Sequence, residues 1–298
     1  MNYHNPVLLK ESIEGLNIKP DGIYVDVTFG GGGHSKVILQ QLNEKGRLYA
    51  FDQDEDAKKN VLNDERFVLI PQNFKFLKRH LKFYGVKKVD GILADLGVSS
   101  HQFDIAERGF STRFEGRLDM RMNTSETISA YEIINNYTEE QISNLLFQFG
   151  ELNSARAMAK KIVETRKEQK IETSLQLKQV LSSFLPQGRE HKVIAQVFQA
   201  IRIEVNKEIE ALKDFLIQVP EMLNKEGRLC VISYHSLEDR LVKRFIRDGL
   251  FEGEPPKDFY GNFSVPLKKV GNMITPSKEE IRLNNRARSA KLRIATTS

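Results

Sequence analysis

Strand and helix signals alternate through the first hundred residues, and that alternation restricts the chain more than any other feature. "IYVDVT" (23–28) is a short β-branched run followed by four glycines, Gly30 to Gly33. "HSKVILQQLNEKG" (34–46) places Val37, Ile38 and Leu42 on one helical face and stops at Gly46, a natural residue just past a helix end. "RLYAFDQD" (47–54), "RFVLIPQ" (66–72) and "VDGILADLG" (89–97) read as further strands, with a helical "FKFLKRHLKFYG" (74–85) before the last. Strands separated by helices imply parallel βαβ units, and ligands of such sheets sit outside the carboxyl ends of the strands. The first strand ends in glycines, and two others end in carboxylates, Asp52 and Asp95.

From about Phe103 to Lys207 the strand signals vanish. "TEEQISNLLFQFG" (138–150) opens with Thr138 and Gln141 at capping-box spacing, and "NSARAMAKKIVETRKEQ" (153–169) and "SLQLKQVLSSFL" (174–185) follow. The α/β pattern then resumes. "VFQAIRIEVNKEIEALKDFLIQVPEML" (197–223) reads as one long helix disturbed near Pro220. "GRLCVISYHSLEDR" (227–240) reads as an apolar strand running into a polar turn capped by Ser236. "NFSVPLKKV" and "SAKLRIAT" read as late strands. The expected architecture is one α/β sheet domain, residues 1–103 and 208–298, interrupted by an all-α insert over 104–207 that serves substrate recognition.

Composition narrows the function. The chain of 298 residues has no apolar run of 18, so no membrane span is expected. Its N-terminus lacks the basic-then-apolar pattern of a signal peptide, and the cytoplasm is the expected compartment. One cysteine, Cys230, excludes a disulfide framework and a cysteine zinc cage, and it reads as a buried strand thiol. The histidines show no metal-ligand spacing, so no metal is expected. Net charge is +5, and from Lys225 to Ser298 there are 15 Lys/Arg against 9 Asp/Glu. After Glu280 come Arg282, Arg286, Arg288, Lys291 and Arg293 with no acid, a candidate phosphate-contacting edge. The middle block, with 15 basic and 14 acidic residues between Asp104 and Lys207, is no clamp by net charge.

The glycine run "TFGGGGHSK" misses both phosphate-binding patterns. Read from Gly30, the dinucleotide fingerprint meets Ser35 where its third glycine belongs; read from Gly31 it meets Lys36. A triphosphate loop needs G-K-[ST] at its end, which is absent. Asp26 before the glycines and Asp52 at the second strand end instead suit an adenosine ligand that carries positive charge and no phosphate, with Asp52 accepting both ribose hydroxyls. S-adenosyl-L-methionine has these properties. The alternative is that both aspartates are strand-end caps.

Two further constellations fall at strand ends: "ADLGVSSHQFD" (94–104) with Asp95, and "SYHSLEDR" (233–240) with His235. Phe103, Phe110 and Tyr234 lie close to these motifs and could stack on a base or fill the core.

These residues, taken with "HNPVLLKE", "DVTFGGGGHS", "FDQD", "DGILADLGVSS", "ERGFS", "LDMRM", "FQAIRIEVN" and "NNRARSAKLR", resemble the RsmH (MraW) family of bacterial small-subunit ribosomal RNA methyltransferases over nearly the whole chain. The resemblance implies a class I S-adenosylmethionine-dependent methyltransferase (Rossmann-like) fold with an inserted all-α domain. It implies methyl transfer from S-adenosyl-L-methionine to the exocyclic amine (N4) of a decoding-centre cytidine, position 1402 of 16S rRNA, within the small ribosomal subunit, with no membrane or DNA partner. Carried over by motif, the cofactor contacts would be Gly32, Gly33, His34, Asp52, Phe74, Asp95 and Gln102. Asp95 and His235 are the catalytic candidates. Arg117, Arg121, Arg286, Arg288 and Lys291 are the candidates for RNA phosphates. The chain departs from the family where His101 follows "GVSS", where Asn123 follows "LDMRM", and in "KVIAQV", where Gln196 supplies no basic contact. A nicotinamide-dependent oxidoreductase and a non-catalytic RNA-binding or ribosome-assembly protein on the same fold are the competing readings.

Overall fold

The computed structural model describes residues 6–256, 259–260 and 263–297. His4 and Asn5 of the "HNPVLLKE" motif, and Asn262 of "NFSVPLKKV", lie outside the described residues. The chain divides into two compact units, Met1–Gly97 with Ile209–Ser298, and Val98–Glu208. The first crossing lies six residues ahead of the expected boundary, because the short helix after Ser99 belongs to the second unit.

The first unit is built on seven strands: β1 (Ile23–Asp26), β2 (Arg47–Phe51), β3 (Phe67–Ile70), β4 (Val89–Asp95), β5 (Leu223–Ser233), β6 (Leu267–Ile274) and β7 (Lys291–Thr297). They form one sheet in the order β3-β2-β1-β4-β5-β7-β6. The first five strands are parallel, whereas β7 runs antiparallel to both β5 and β6. Side chains alternate between two cores, as a sheet covered on both faces requires. Val25, Tyr49, Phe51, Ile92 and Val231 enter one core. Tyr24, Leu48, Ala50, Leu93 and Cys230 enter the other. In this unit helices α1 (Leu9–Leu16), α2 (Gly33–Gln41) and α3 (Leu77–Phe83) belong to the first half. The second unit contributes α4 (Ser100–Asp104), α5 (Ala130–Asn136), α6 (Glu139–Gln148), α7 (Ala155–Glu168), α8 (Ser174–Val180) and α9 (Glu190–Asn206). Helices α10 (Glu208–Met222), α11 (Ser236–Asp248) and α12 (Lys278–Leu283) complete the chain. No described helix is long and apolar enough to cross a membrane.

Three local expectations are corrected. Helix α2 ends at Gln41 rather than near Gly46, because Asn43 starts a turn in which its side-chain oxygen accepts the N–H groups of Lys45 and Gly46. The long helix over 197–223 is two helices. The break is at Lys207, which takes a left-handed conformation at φ 50°, while α10 runs through Pro220 into its last turn. The residue that caps α11 is His235, not Ser236. The Glu238 carboxylate accepts the backbone N–H of Tyr234 at 3.0 Å and reaches that of His235 at 3.4 Å.

The second unit is helical around its own core. Thr138 and Gln141 form the capping box that their spacing predicts. Phe110 is buried in this core and Phe103 packs against it, so neither is an exposed stacking platform. Asn206, the last residue of "FQAIRIEVN", explains why that motif accompanies "LDMRM". Its Oδ1 accepts the N–H of Met122 at 2.7 Å, and its Nδ2 donates to the carbonyls of Met120 and Arg202 at 2.8 and 2.9 Å. Gln196, where no basic contact was expected, donates to the Gly150 carbonyl at 3.0 Å.

Candidate active site

The carboxyl edge of the sheet gathers the predicted residues of the first unit. The chain leaves β1 at Asp26, turns through the glycines and enters α2 at Gly33. Gly32 caps the helix at φ +74°, a left-handed conformation that glycine adopts without strain. A Cβ on Gly33 would lie 2.3 Å from Pro6 Cγ, so the N-terminal segment needs a bare backbone there.

Asp26 is fully buried, and its carboxylate is occupied from inside the protein. Oδ2 accepts the Ser35 hydroxyl at 2.7 Å and Oδ1 accepts the Thr28 N–H at 3.1 Å. Burial raises its pKa, and these two bonds oppose the rise. Asp26 therefore organises the loop rather than meeting a ligand directly. Thr28 relays that order, since its hydroxyl oxygen accepts the Asp95 N–H at 2.7 Å.

Asp52 ends β2 and remains half-buried. Oδ2 accepts the Gly30 N–H at 2.7 Å and Oδ1 accepts the Asp54 N–H at 2.8 Å. Each oxygen keeps a second lone pair, the pair of acceptors that a ribose diol needs. Burial pushes its pKa up to about 6, against the lowering pull of the two N–H groups.

Asp95 ends β4 with its side chain 23% exposed. Oδ1 accepts the Tyr234 hydroxyl at 2.8 Å, and Oδ2 lies 3.9 Å from His34 Nδ1. Burial pushes the Asp95 pKa up to about 6, opposed by His34 and by the Tyr234 hydrogen bond. Burial holds His34 below the ordinary histidine range and Tyr234 well above the ordinary tyrosine range. At neutral pH the group is an ionised carboxylate between a neutral imidazole and a phenol that keeps its proton. The other ring nitrogen, His34 Nε2, lies 3.2 Å from the Val7 carbonyl, which accepts only if Nε2 carries the proton. Nδ1 is then an acceptor facing Asp95.

Phe74 follows β3 in a 3₁₀ turn (Phe74–Phe76), its ring edge-on to Phe215 at 5.5 Å. His235 is buried at the start of α11. Its Nε2 lies 3.1 Å from Glu238 Oε1 without hydrogen-bond alignment, and neither ring nitrogen has a hydrogen-bond partner among the described residues. Gln102 lies in the second unit. It is buried as the closing residue of a capping box, with Oε1 accepting the Ser99 N–H at 3.0 Å and its own N–H donating to Ser99 Oγ at 3.2 Å. That geometry gives it a structural task the sequence reading did not foresee.

The basic candidates divide. Four of the five N–H donors of Arg121 are engaged within the protein. They bond Asp119 at 2.9 and 2.7 Å and the carbonyls of Thr124 and Glu126 at 3.0 and 2.7 Å. Arg117 is exposed and has no side-chain partner among the described residues. Arg286 and Arg288 are exposed on a 3₁₀ turn before β7. Lys291 lies 3.4 Å from Asp239, which Arg293 also engages at 2.7 Å, so one carboxylate offsets part of their joint charge.

Tyr234 was missed as a partner of Asp95; the sequence suggests only stacking or core. Its position directly after a strand end, beside a second strand that ends in a carboxylate, is the signal that could have found it. The donor set as a whole is anionic. Among the described residues, none of the hydrogen-bond partners of Asp26, Asp52 and Asp95 is a lysine or arginine. A pyrophosphate would be repelled here, whereas a sulfonium with an adenosine and an ammonium group fits.

Residues 1–298 match the family model described as the MraW methylase family. The chain belongs to the MraW methylase family. Three relatives carry the name "Ribosomal RNA small subunit methyltransferase H". The one from Christiangramia forsetii is 65% identical, covering 99% of this chain and 98% of its own. That from Flavobacterium johnsoniae is 61% identical over the same shares. That from Bacteroides fragilis is 52% identical, covering 98% of this chain and 97% of its own. Membership of the MraW methylase family makes the chain a methyltransferase dependent on S-adenosyl-L-methionine. Its seven-stranded sheet, with one strand inserted antiparallel between β5 and β6, is the class I arrangement that the sequence resemblance implies. The oxidoreductase and non-catalytic alternatives are set aside by the same finding.

Proposed function

We propose that this methyltransferase modifies the N4 amine of cytidine 1402 of 16S rRNA, within the small ribosomal subunit and in the cytoplasm. Family membership and the relatives' names support small-subunit rRNA as the substrate class. The observation that carries the finer reading is the carboxylate of Asp95, held on one oxygen by Tyr234 and open on the other.

S-adenosyl-L-methionine supplies an electrophilic methyl group when bound. Asp52 would hold its ribose, Phe74 would flank its adenine, and the Gly32–Gly33–His34 backbone would approach it closely. The cytosine amine is a weak nucleophile, because its lone pair is delocalised into the ring. An acceptor on its N–H turns the nitrogen toward tetrahedral as it reacts. Asp95 Oδ2 offers that acceptor and can take the proton that the nitrogen sheds on gaining a methyl group. Ionised above about pH 6, the carboxylate is ready for this at neutral pH. His235, whose Nδ1 has no hydrogen-bond partner among the described residues and whose Nε2 faces Glu238 Oε1 at 3.1 Å, would position the base or receive the proton next. The target base has to be unstacked to reach such a site.

The test is transfer of a labelled methyl group to small subunits lacking the modification, with the product nucleoside identified. N4-methylcytidine at one site is the expected product. Label in another nucleoside, or none transferred, would overturn the reading.

A further inference from the structure

The first turn of α11 carries two adjacent carboxylates with different surroundings. Asp239 meets two cations of β7, Arg293 at 2.7 Å and Lys291 at 3.4 Å. Glu238 is buried and turns back to the start of its own helix. Its Oε2 accepts the Tyr234 N–H at 3.0 Å and reaches the His235 N–H at 3.4 Å, while Oε1 lies 3.1 Å from His235 Nε2. One carboxylate thus holds, by the backbone, both residues that connect β5 to α11. The Tyr234 phenol, so anchored, donates to Asp95 Oδ1 at 2.8 Å. Glu238 is therefore linked to the proton acceptor through one residue, Tyr234, which it grips at one end and which grips Asp95 at the other.

Capping does not account for a charge at this place. A glutamine closes a helix start as well as a glutamate does. A buried carboxylate near a second one makes both harder to ionise, which a neutral amide avoids. The effect falls on Asp95. Burial is the main influence there and favours the protonated form. Of the groups that face it, His34 on α2 and the Tyr234 hydroxyl favour the ionised form, whereas Asp26 on β1 and Glu238 on α11 favour the protonated one. A carboxylate with a greater hold on its proton is the stronger base once ionised.

We propose that Glu238 is a positioning residue of the methyl transfer: its carboxylate pins the turn that keeps the Tyr234 phenol on Asp95, and its charge favours a proton on Asp95 Oδ2. Glu238 touches no substrate and takes no proton. It acts through Tyr234 and through the field at Asp95. The proposal rests on the reading of Asp95 as acceptor of the proton that the cytosine amine sheds, and it adds a residue outside the expected catalytic pair of Asp95 and His235.

The test compares Glu238→Gln, Glu238→Ala and Tyr234→Phe in the full chain, with two readouts. One is the NMR titration of the Asp95 carboxyl carbon, assigned by its loss in Asp95→Asn. The other is kcat for methyl transfer to small subunits lacking the modification. Glu238→Gln keeps an oxygen for the Tyr234 N–H and removes the charge, so the Asp95 titration should move to lower pH. Tyr234→Phe should move it to higher pH, because the phenol's hydrogen bond lowers it. A role confined to shaping the turn predicts otherwise: Glu238→Gln would leave the titration in place or, by releasing the phenol, shift it upward as Tyr234→Phe does. Either result would overturn the proposal. Glu238→Ala should lower kcat at least about ten-fold with S-adenosyl-L-methionine affinity nearly unchanged. Wild-type kcat in that variant would also overturn the proposal, and if it fails to fold, the Glu238→Gln titration decides alone. Absence of methyl transfer by the wild-type protein would instead sink the functional reading. The carboxyl titration needs no substrate and would still decide the effect of Glu238 on Asp95.

Discussion

The hydroxyl of Tyr234, just past the end of β5, donates a 2.8 Å hydrogen bond to Oδ1 of Asp95 at the end of β4. A buried phenol whose pKa is driven well above the ordinary range stays a donor throughout the working pH range. Asp95 therefore has Oδ1 engaged, while Oδ2 lies 3.9 Å from His34 Nδ1 with no hydrogen bond between them. Tyr234→Phe removes that restraint. A hydrogen bond to a charged group contributes about 1.5–3 kcal/mol, so kcat should fall at least ten-fold with cofactor affinity nearly unchanged. The bond also lowers the Asp95 pKa, so the acidic limb of the rate profile should move to higher pH. A variant with wild-type kcat and an unmoved limb would remove Tyr234 from the mechanism.

The wild-type rate should rise with pH through about 6, as Asp95 ionises. Burial lowers the His34 pKa, opposed by Asp95 and the Val7 carbonyl. A kcat profile flat between pH 5 and 8 would argue that no carboxylate accepts the proton.

Asp95 also costs stability, with a definite sign. Folded, it keeps its proton up to about pH 6; unfolded, it releases it near the ordinary value of 3.8. The folded state binds more protons between these values, so stability falls as pH rises through that window. Asp95→Asn should therefore raise the Tm at pH 7–8, by up to about 3 kcal/mol in stability, and the gain should vanish below about pH 4. The same variant should lose turnover by at least about a hundred-fold. Equal melting temperatures at pH 8 would contradict the burial argument.

Arg121 and Arg288 should behave oppositely. Arg121→Ala breaks the Asp119 pair and two carbonyl bonds, so thermal stability should drop by about 1–3 kcal/mol with RNA affinity kept. Arg288→Ala should leave the melting temperature alone and lower the salt slope of RNA binding by about 0.7–0.9. Reversed results would place Arg121, rather than Arg288, at the RNA phosphates.

Asn206→Ala deletes three hydrogen bonds, two of which tie "FQAIRIEVN" to "LDMRM". It should destabilise the chain to urea by about 2–3 kcal/mol without altering cofactor binding. A wild-type urea midpoint would show that the tie is redundant.

The parallel sheet was legible because "IYVDVT", "RLYAFDQD" and "VDGILADLG" carry short apolar runs, as strands covered on both faces do. The positions of Asp52 and Asp95 at the carboxyl edge were legible because each directly follows or closes an apolar strand run. The break at Lys207 was not, because nothing in "IEVNKEIEAL" lacks helix propensity; tertiary packing imposes the left-handed residue. The internal pairing of Arg121 was not legible for a related reason. A charge count cannot see that Asp119, two residues away, folds back onto the guanidinium. Gln102 shows the same limit, since a pocket residue and a capping-box residue look alike until the Ser99 bonds are seen.

The N-terminal segment gives the glycine run a second meaning. Pro6 lies where a Gly33 side chain would be, the Val7 carbonyl meets His34, and the Leu8 N–H donates to Glu280 of α12 at 2.7 Å. Three consecutive residues thus tie the glycine loop to α12, more than two hundred residues away along the chain.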